Sequence, residues 1–138
     1  MEDNFPPLMK LSPFYDQKVW GGEFLKKLKG IACNFPVGET HEISTLDGEN
    51  STYGDIPISN FVGSLSYVVK LIETTDNLSV QVHPNDTYAK TVENSSGKSE
   101  CCLILNSLAG GGIYLGFKPV VKREDLEKAI KNNDTVNE

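Results

Sequence analysis

The chain is predicted to form a mainly β fold, an antiparallel sandwich or barrel that carries short helices. Its strongest apolar runs are short and rich in β-branched residues, which favour strands. Gly, Pro, Asn and Asp are scattered as turn residues rather than gathered into a linker. With 138 residues, 38% of them hydrophobic, the chain has the size and apolar content of one ordinary domain. Residues 1–138 are therefore expected to form a single domain.

Strands are predicted most clearly in the second half of the chain. Residues 67–73 (YVVKLIE) form an apolar run that ends in turn residues, and residues 78–83 are expected to return as the next strand. Residues 100–106 (ECCLILN) and 112–117 (GIYLGF) are predicted as a third and a fourth strand. A short strand is predicted earlier, at residues 42–45. Because several of these segments follow one another through short turns, antiparallel pairing is expected.

Three short helices accompany the predicted strands. Residues 24–28 form the first, and residues 86–94 form the second, with Asp86 as its cap, since Pro84 cannot extend a helix. Residues 122–131 form the third, because Leu126, Ala129 and Ile130 have the spacing of an amphipathic helix. The chain then ends in polar sequence.

Composition argues against several classes of partner and compartment. A net charge of −6 and a pI near 4.9 leave no basic excess for nucleic acid. Residues 1–10 are acidic and contain Pro6 and Pro7, unlike a signal peptide, and no apolar run approaches the ~20 residues of a membrane helix. The cytoplasm is the expected compartment. The three cysteines are an odd number, and we expect reduced, partly buried thiols.

A row of polar side chains follows the predicted strand at residues 78–83. Residues two apart on a strand project from the same face about 6.6 Å apart, so Ser79, Gln81 and His83 share one face while Leu78, Val80 and Val82 share the other. Two interpretations follow. The row lines an interior that binds a metal and an anionic sugar, or it faces solvent on an ordinary half-exposed strand.

Glu100 begins the next predicted strand, 17 positions after His83. A carboxylate, an imidazole and an amide oxygen could together bind one cation, and His and Glu suit Zn²⁺. This spacing alone is a weak signal, because QxH followed by a Glu 17 residues later occurs by chance. A single histidine at a strand end is also more often a structural hydrogen-bonding residue than a ligand.

The sequence motifs around these residues are a more specific signal than the spacing. LSVQVHPND at residues 78–86 and GKSEC at residues 97–101 closely resemble the type I mannose-6-phosphate isomerases, which are zinc enzymes of the cupin fold. The similarity extends to VWGG at residues 19–22, to GETHEIS at residues 38–44, and to residues 114–130. The resemblance covers almost the whole chain and implies a cupin-like jelly-roll barrel.

Position by position, the resemblance implies that Gln81, His83 and Glu100 coordinate one zinc ion per chain. It places Ser79 and Lys98 in the substrate site, with Lys98 also a candidate for assisting proton transfer. The implied reaction interconverts mannose 6-phosphate and fructose 6-phosphate, so the expected partner is a sugar phosphate.

Two departures from the family leave alternatives open. His41 stands where the family usually has Trp, and neither the family's second zinc-ligating His nor its late Arg is found after Ile130. The chain is then part of a longer catalytic domain or a shortened relative. Alternatives to the enzyme are a non-catalytic cupin module that binds metal or sugar phosphate, and a subunit completed by a second chain. Open strand edges of an incomplete barrel are expected to favour self-association.

Overall fold

The computed structural model describes residues 8–132. The N-terminal proline pair and the polar sequence after residue 132 lie outside the described residues. The chain divides into two compact units, one ending at Val82 and the other beginning at His83. Within the described residues, no helix has both the length and the apolar character needed to cross a membrane.

The first unit is built on a three-stranded antiparallel sheet. Strands β1 (Phe14–Gly22), β2 (Val37–Ile43) and β5 (Val69–Ile72) lie in the order β1-β2-β5. The short strands β3 (Thr52–Tyr53) and β4 (Ile56–Pro57) form a separate hairpin. The prediction at residues 67–73 is confirmed as β5, and the one at residues 42–45 falls at the end of the longer strand β2.

Two helices belong to this unit, α1 (Phe24–Lys29) and α2 (Ser59–Val62), and α1 confirms the helix predicted at residues 24–28. The backbone N–H groups of Phe24 and Leu25 donate to the two carboxylate oxygens of Glu73, at 2.9 and 2.8 Å. Glu73 follows β5, so its side chain connects the start of α1 to the edge of the sheet. It satisfies two of the four N–H groups that a helix leaves unpaired at its start.

The glycine at position 21 explains why β1 and β2 can approach so closely. A Cβ on Gly21 would stand 2.5 Å from the backbone nitrogen of Gly38, a distance that real Cβ atoms do not adopt. Next to this crossing, the Thr75 N–H donates to the Trp20 carbonyl at 2.8 Å. The WGG and GET segments therefore meet through backbone atoms, and only glycine fits at this position.

Strand β2 carries the most deeply buried part of the unit. Val37, Thr40 and His41 are at most 1% exposed, and Ser44 and Ser51 are fully buried beside them. Ser51 Oγ donates to the His41 carbonyl at 2.8 Å and accepts from the Ser44 N–H at 2.9 Å. This core contains several polar side chains, and hydrogen bonds satisfy those of Thr40, Ser44 and Ser51.

The second unit contains α3 (Asp86–Tyr88), a π-helical turn (Ala89–Glu93) and α4 (Arg123–Asn132). The helices predicted at residues 86–94 and 122–131 are confirmed. The cap is a correction, because Asn85 rather than Asp86 accepts the hydrogen bond, from the Tyr88 N–H at 2.9 Å.

Three strand predictions are wrong for this structure. The segments at residues 78–83, 100–106 and 112–117 form no strand, and β5 pairs with β2 rather than with residues 78–83. Strands exist only when paired, and the described residues offer these segments no partner. Their apolar side chains are largely exposed, so the opposite-face packing expected for them is also absent. Exposed fractions are 71% for Val80, 79% for Val82 and 83% for Leu103.

The cysteines also differ in part from expectation. Cys33 is partly buried, whereas Cys101 and Cys102 are exposed because their segment packs against no layer of the described residues. All three are free thiols, as predicted.

Candidate metal centre

The candidate centre begins at the first residue of the second unit. His83 Nε2 lies 3.0 Å from Glu100 Oε2, although 17 positions separate the two residues in the chain. The His83 side chain is 26% exposed and that of Glu100 is 48% exposed, so the pair is reachable from solvent. The structure therefore brings together the two charged or titratable ligands that the sequence predicts.

Lys98 joins the same cluster. Its Nζ lies 2.8 Å from Glu100 Oε1, so the two oxygens of one carboxylate contact different partners. The hydrogen bond from Lys98 is the main cause that lowers the pKa of Glu100, with the charges of Lys98 and His83 adding to it against partial burial. Glu100 is thus held in the ionised form that metal binding requires.

His83 Nε2 and Glu100 Oε2, 3.0 Å apart, are at hydrogen-bond distance, whereas neighbouring ligand atoms of a tetrahedral zinc ion lie roughly 3.3 Å apart. Imidazole nitrogen and carboxylate oxygen are both common zinc ligands. Within residues 8–132, no group of three or more His, Cys, Asp or Glu side chains is arranged so that it could hold a metal ion.

Ser79 and Gln81 form a second small group at the end of the first unit. Gln81 Nε2 donates to Ser79 Oγ at 2.9 Å, and both residues are exposed. The two side chains are neighbours even though their segment is not in a sheet. The five predicted site residues thus fall into two contacting sets, Ser79 with Gln81 and His83 with Lys98 and Glu100.

Three further residues, Pro84, Asp86 and Gly97, shape the second set, and none of them was predicted as a site residue. The Gly97 N–H donates to Asp86 Oδ1 at 2.9 Å, and the Lys98 N–H donates to the Pro84 carbonyl at 3.2 Å. These bonds connect the segment after His83 to the segment before Glu100. The glycine that directly precedes Lys98 was the available signal, since an isolated glycine often marks a close backbone approach.

His41, at the position where the family usually has Trp, lies in a different acidic environment. Its Nε2 is 3.3 Å from Glu39 Oε2, its Nδ1 is 3.3 Å from Glu49 Oε2, and its ring packs tilted against Phe14 with centroids 5.3 Å apart. Glu39 is paired with Lys70 as well, at 2.8 Å. His41 therefore packs as an aromatic ring in the core, with a carboxylate oxygen near each nitrogen.

In sequence, the chain is similar to one group of enzymes. It is 29% identical to a probable mannose-6-phosphate isomerase of Bacillus subtilis over 90% of the chain and 45% of that protein. It is 31% identical to the mannose-6-phosphate isomerase of Streptococcus mutans over 86% of the chain and 43% of that enzyme. No family model matches the chain. The chain thus spans less than half the length of these curated relatives.

A solved structure agrees with the sequence comparison. The mannose 6-phosphate isomerase of Bacillus subtilis superposes with a TM-score of 0.57 at 24% identity, over 64% of the chain and 34% of the enzyme. The mainly β fold class with short helices is confirmed, while the described residues do not show a closed barrel. The resemblance inferred from the sequence motifs is also confirmed.

Proposed function

Because the chain is a relative of the mannose-6-phosphate isomerases, we propose that it forms the metal-binding part of a zinc-dependent aldose-ketose isomerase. Its substrates would be mannose 6-phosphate and fructose 6-phosphate, and residues 1–138 would be part of one catalytic domain. The observation that carries the proposal is the contact between His83 and Glu100, with Lys98 on the other oxygen of the same carboxylate. The two residues are 17 positions apart in the sequence and stand where the resemblance implies metal ligands, which supports the proposal.

Gln81, His83 and Glu100 would hold the metal. When bound, zinc supplies Lewis-acid stabilisation for the negative charge that develops on sugar oxygens during isomerisation. Glu100 can give Oε2 to the metal while Oε1 keeps its contact with Lys98. The centre can therefore bind a metal without releasing the lysine.

Lys98 and Ser79 would contact the sugar phosphate. The Lys98 side chain is 54% exposed, and its ammonium group has three N–H donors, of which Glu100 occupies one. Such a group is suited to bind phosphate or sugar oxygens, and a proton transfer role would require that it lose its proton. Ser79 adds a hydroxyl beside Gln81.

The direct test is a calorimetric zinc titration of the chain and of two single variants. Glu100→Ala removes the proposed ligand, whereas Glu93→Ala removes an exposed glutamate of the same unit and serves as the matched control. We expect the unchanged chain and Glu93→Ala to bind one zinc ion, and Glu100→Ala to lose this binding. Equal affinity in all three proteins would remove Glu100 from the site.

A second candidate is a module that binds metal or sugar phosphate without turnover. The contact that favours this candidate joins two side chains of common zinc-ligand types, His83 and Glu100. Catalytic zinc sites commonly have three protein ligands, so two in contact favour binding over turnover. Zinc and sugar-phosphate binding without isomerisation would support this candidate.

A further inference from the structure

The proposed ligands His83 and Glu100 are held together by a second layer of contacts, which we call the clasp. The clasp consists of the hydrogen bond from the Gly97 N–H to Asp86 Oδ1, at 2.9 Å, and the bond from the Lys98 N–H to the Pro84 carbonyl, at 3.2 Å. Asp86 lies three residues after His83, and Gly97 lies three residues before Glu100. The clasp therefore closes the loop just inside the two ligands.

Closing this loop lowers the conformational entropy of the chain, which costs free energy. The cost of bringing two chain positions together rises with the logarithm of the number of residues between them. Without the clasp, only the helical turns at residues 86–93 would shorten the span that the contact between His83 and Glu100 has to close. With the clasp in place, each ligand lies one to three residues from a fixed point of the chain, so the segments between the clasp and the ligands have few conformations available.

Gly97 is needed because the two backbone segments touch. A Cβ at this position would stand 2.5 Å from the Asp86 nitrogen, 2.7 Å from the Asn85 carbonyl carbon and 2.9 Å from the Pro84 oxygen. Any other residue would push the return segment away. The hydrogen bond from the Gly97 N–H to Asp86 thus forms where the backbone of Gly97 lies against that of residues 84–86.

The Asp86 carboxylate can accept from Gly97 because Asn85, not Asp86, caps the helix at this turn. Asn85 Oδ1 caps the helix by accepting from the Tyr88 N–H at 2.9 Å. The carboxylate of Asp86 can therefore turn from the helix toward Gly97. Two consecutive polar residues divide capping and loop closure between them.

We propose that Asp86 is a positioning residue of the metal centre: its carboxylate anchors the Gly97 amide and so holds Lys98 and Glu100 beside His83. The effect on metal affinity rests on the proposed function. The effect on the distance between His83 and Glu100 belongs to the metal-free chain and can be measured without it. Partners that orient metal ligands typically change metal affinity about 10–100-fold when they are removed.

The test compares three variants. Asp86→Ala removes the acceptor, Asp86→Asn keeps a side-chain oxygen that can accept from Gly97, and Asp125→Ala is the matched control. Asp125 is also in the second unit and also accepts from a backbone N–H, that of Lys122 at 3.0 Å. We expect zinc affinity to fall about 10-fold or more in Asp86→Ala and to stay within about 3-fold in the other two.

Nuclear magnetic resonance of the metal-free proteins gives the second readout. Overhauser contacts between the His83 ring and the Glu100 methylene protons should be present in the unchanged chain, Asp86→Asn and Asp125→Ala, and lost in Asp86→Ala. Contacts that persist in Asp86→Ala, or losses of equal size in Asp86→Asn, would overturn the anchoring role. If even the unchanged chain binds no zinc, the proposed function fails while this readout still decides the clasp.

A measurement on the unchanged chain covers the case in which Asp86→Ala does not fold. The amide hydrogens of Gly97 and Lys98 donate within the clasp and should exchange more slowly with solvent than those of Ser96 and Ser99. Exchange of the Gly97 amide at the rate of the Ser96 and Ser99 amides would overturn the proposal by itself.

Discussion

At the scale of single residues, the first unit depends on charged groups that are partly buried around His41. Burial, the largest single effect on Glu39, would raise the pKa of its carboxyl group. The hydrogen bond and charge of Lys70, together with His41 and Lys18, outweigh burial and lower that pKa below its ordinary value. Glu39 is therefore more stable ionised in the folded chain than in the unfolded chain.

This shift predicts a pH dependence of stability. A carboxyl group whose pKa is lowered by folding contributes stability that is complete above the unfolded pKa, about 4.3 for Glu. The contribution is lost as the pH falls through the folded value. In urea unfolding between neutral and acidic pH, Glu39→Gln should lose less stability than the unchanged chain over this range. Glu23→Gln, at an exposed ion pair with Lys26, should retain the original slope.

Ser51 provides a prediction that is independent of pH. Its fully buried hydroxyl donates to the His41 carbonyl and accepts from the Ser44 N–H, so Ser51→Ala leaves two buried backbone groups without their partner. We expect a loss of about 1–3 kcal/mol in the free energy of unfolding. Ser66→Ala, at an exposed position, should change it by less than about 0.5 kcal/mol in the same denaturant series.

At the scale of elements, local pattern predicted α1, the helical segment that begins with α3, α4 and β5, but it missed α2 and failed where pairing decides the structure. Residues 100–106 have the composition of β5, but composition reports how well side chains fit a pleated surface rather than whether a partner strand is present. Strand β1 shows the opposite error, because it forms in the structure but was not predicted from the sequence. Its more buried face carries Asp16 and Lys18, which pair at 2.6 Å, while Val19 on the other face is 93% exposed. The usual pattern of buried apolar and exposed polar residues is therefore absent from this strand.

The same reasoning applies to the candidate site. Ligand identities could be inferred from the motifs around His83 and Glu100, and the structure brings these two residues into contact. The role of Asp86 could not be inferred, because it depends on a backbone approach between positions eleven residues apart, for which Gly97 was the one local signal.

The connection between α1 and the sheet gives a prediction at this scale. Glu73→Ala removes the acceptor for the Phe24 and Leu25 N–H groups and should lower the free energy of unfolding by about 1 kcal/mol, as loss of a helix cap does. Far-ultraviolet circular dichroism during thermal unfolding would measure the change. Glu93→Ala is the control, and an equal loss in both variants would contradict the capping role.

At the scale of the whole molecule, the chain corresponds to less than half the length of its curated relatives, and its activity is a separate question from its binding. From the proposed role of Glu100, we expect Glu100→Ala to remove zinc-dependent isomerisation of mannose 6-phosphate, because groups that act as a unit lose most of their effect when one is removed. A coupled assay for fructose 6-phosphate with excess zinc measures turnover, with Glu93→Ala as the control. Equal turnover in Glu100→Ala and Glu93→Ala would contradict this expectation.

Glu100 also marks the border of an unusual stretch of sequence. Residues 101–117 contain no charged side chain, and the structure leaves their apolar side chains exposed, for example Leu105 at 74% and Leu115 at 93%. Uncharged segments of high β-propensity without proline are prone to cross-β aggregation, and flanking charges act as gatekeepers against it. Glu100 and Lys118 occupy these flanking positions. The carboxylate proposed to bind zinc would thus also protect the chain from fibril formation, and Glu100→Ala should increase light scattering on storage when Glu93→Ala does not.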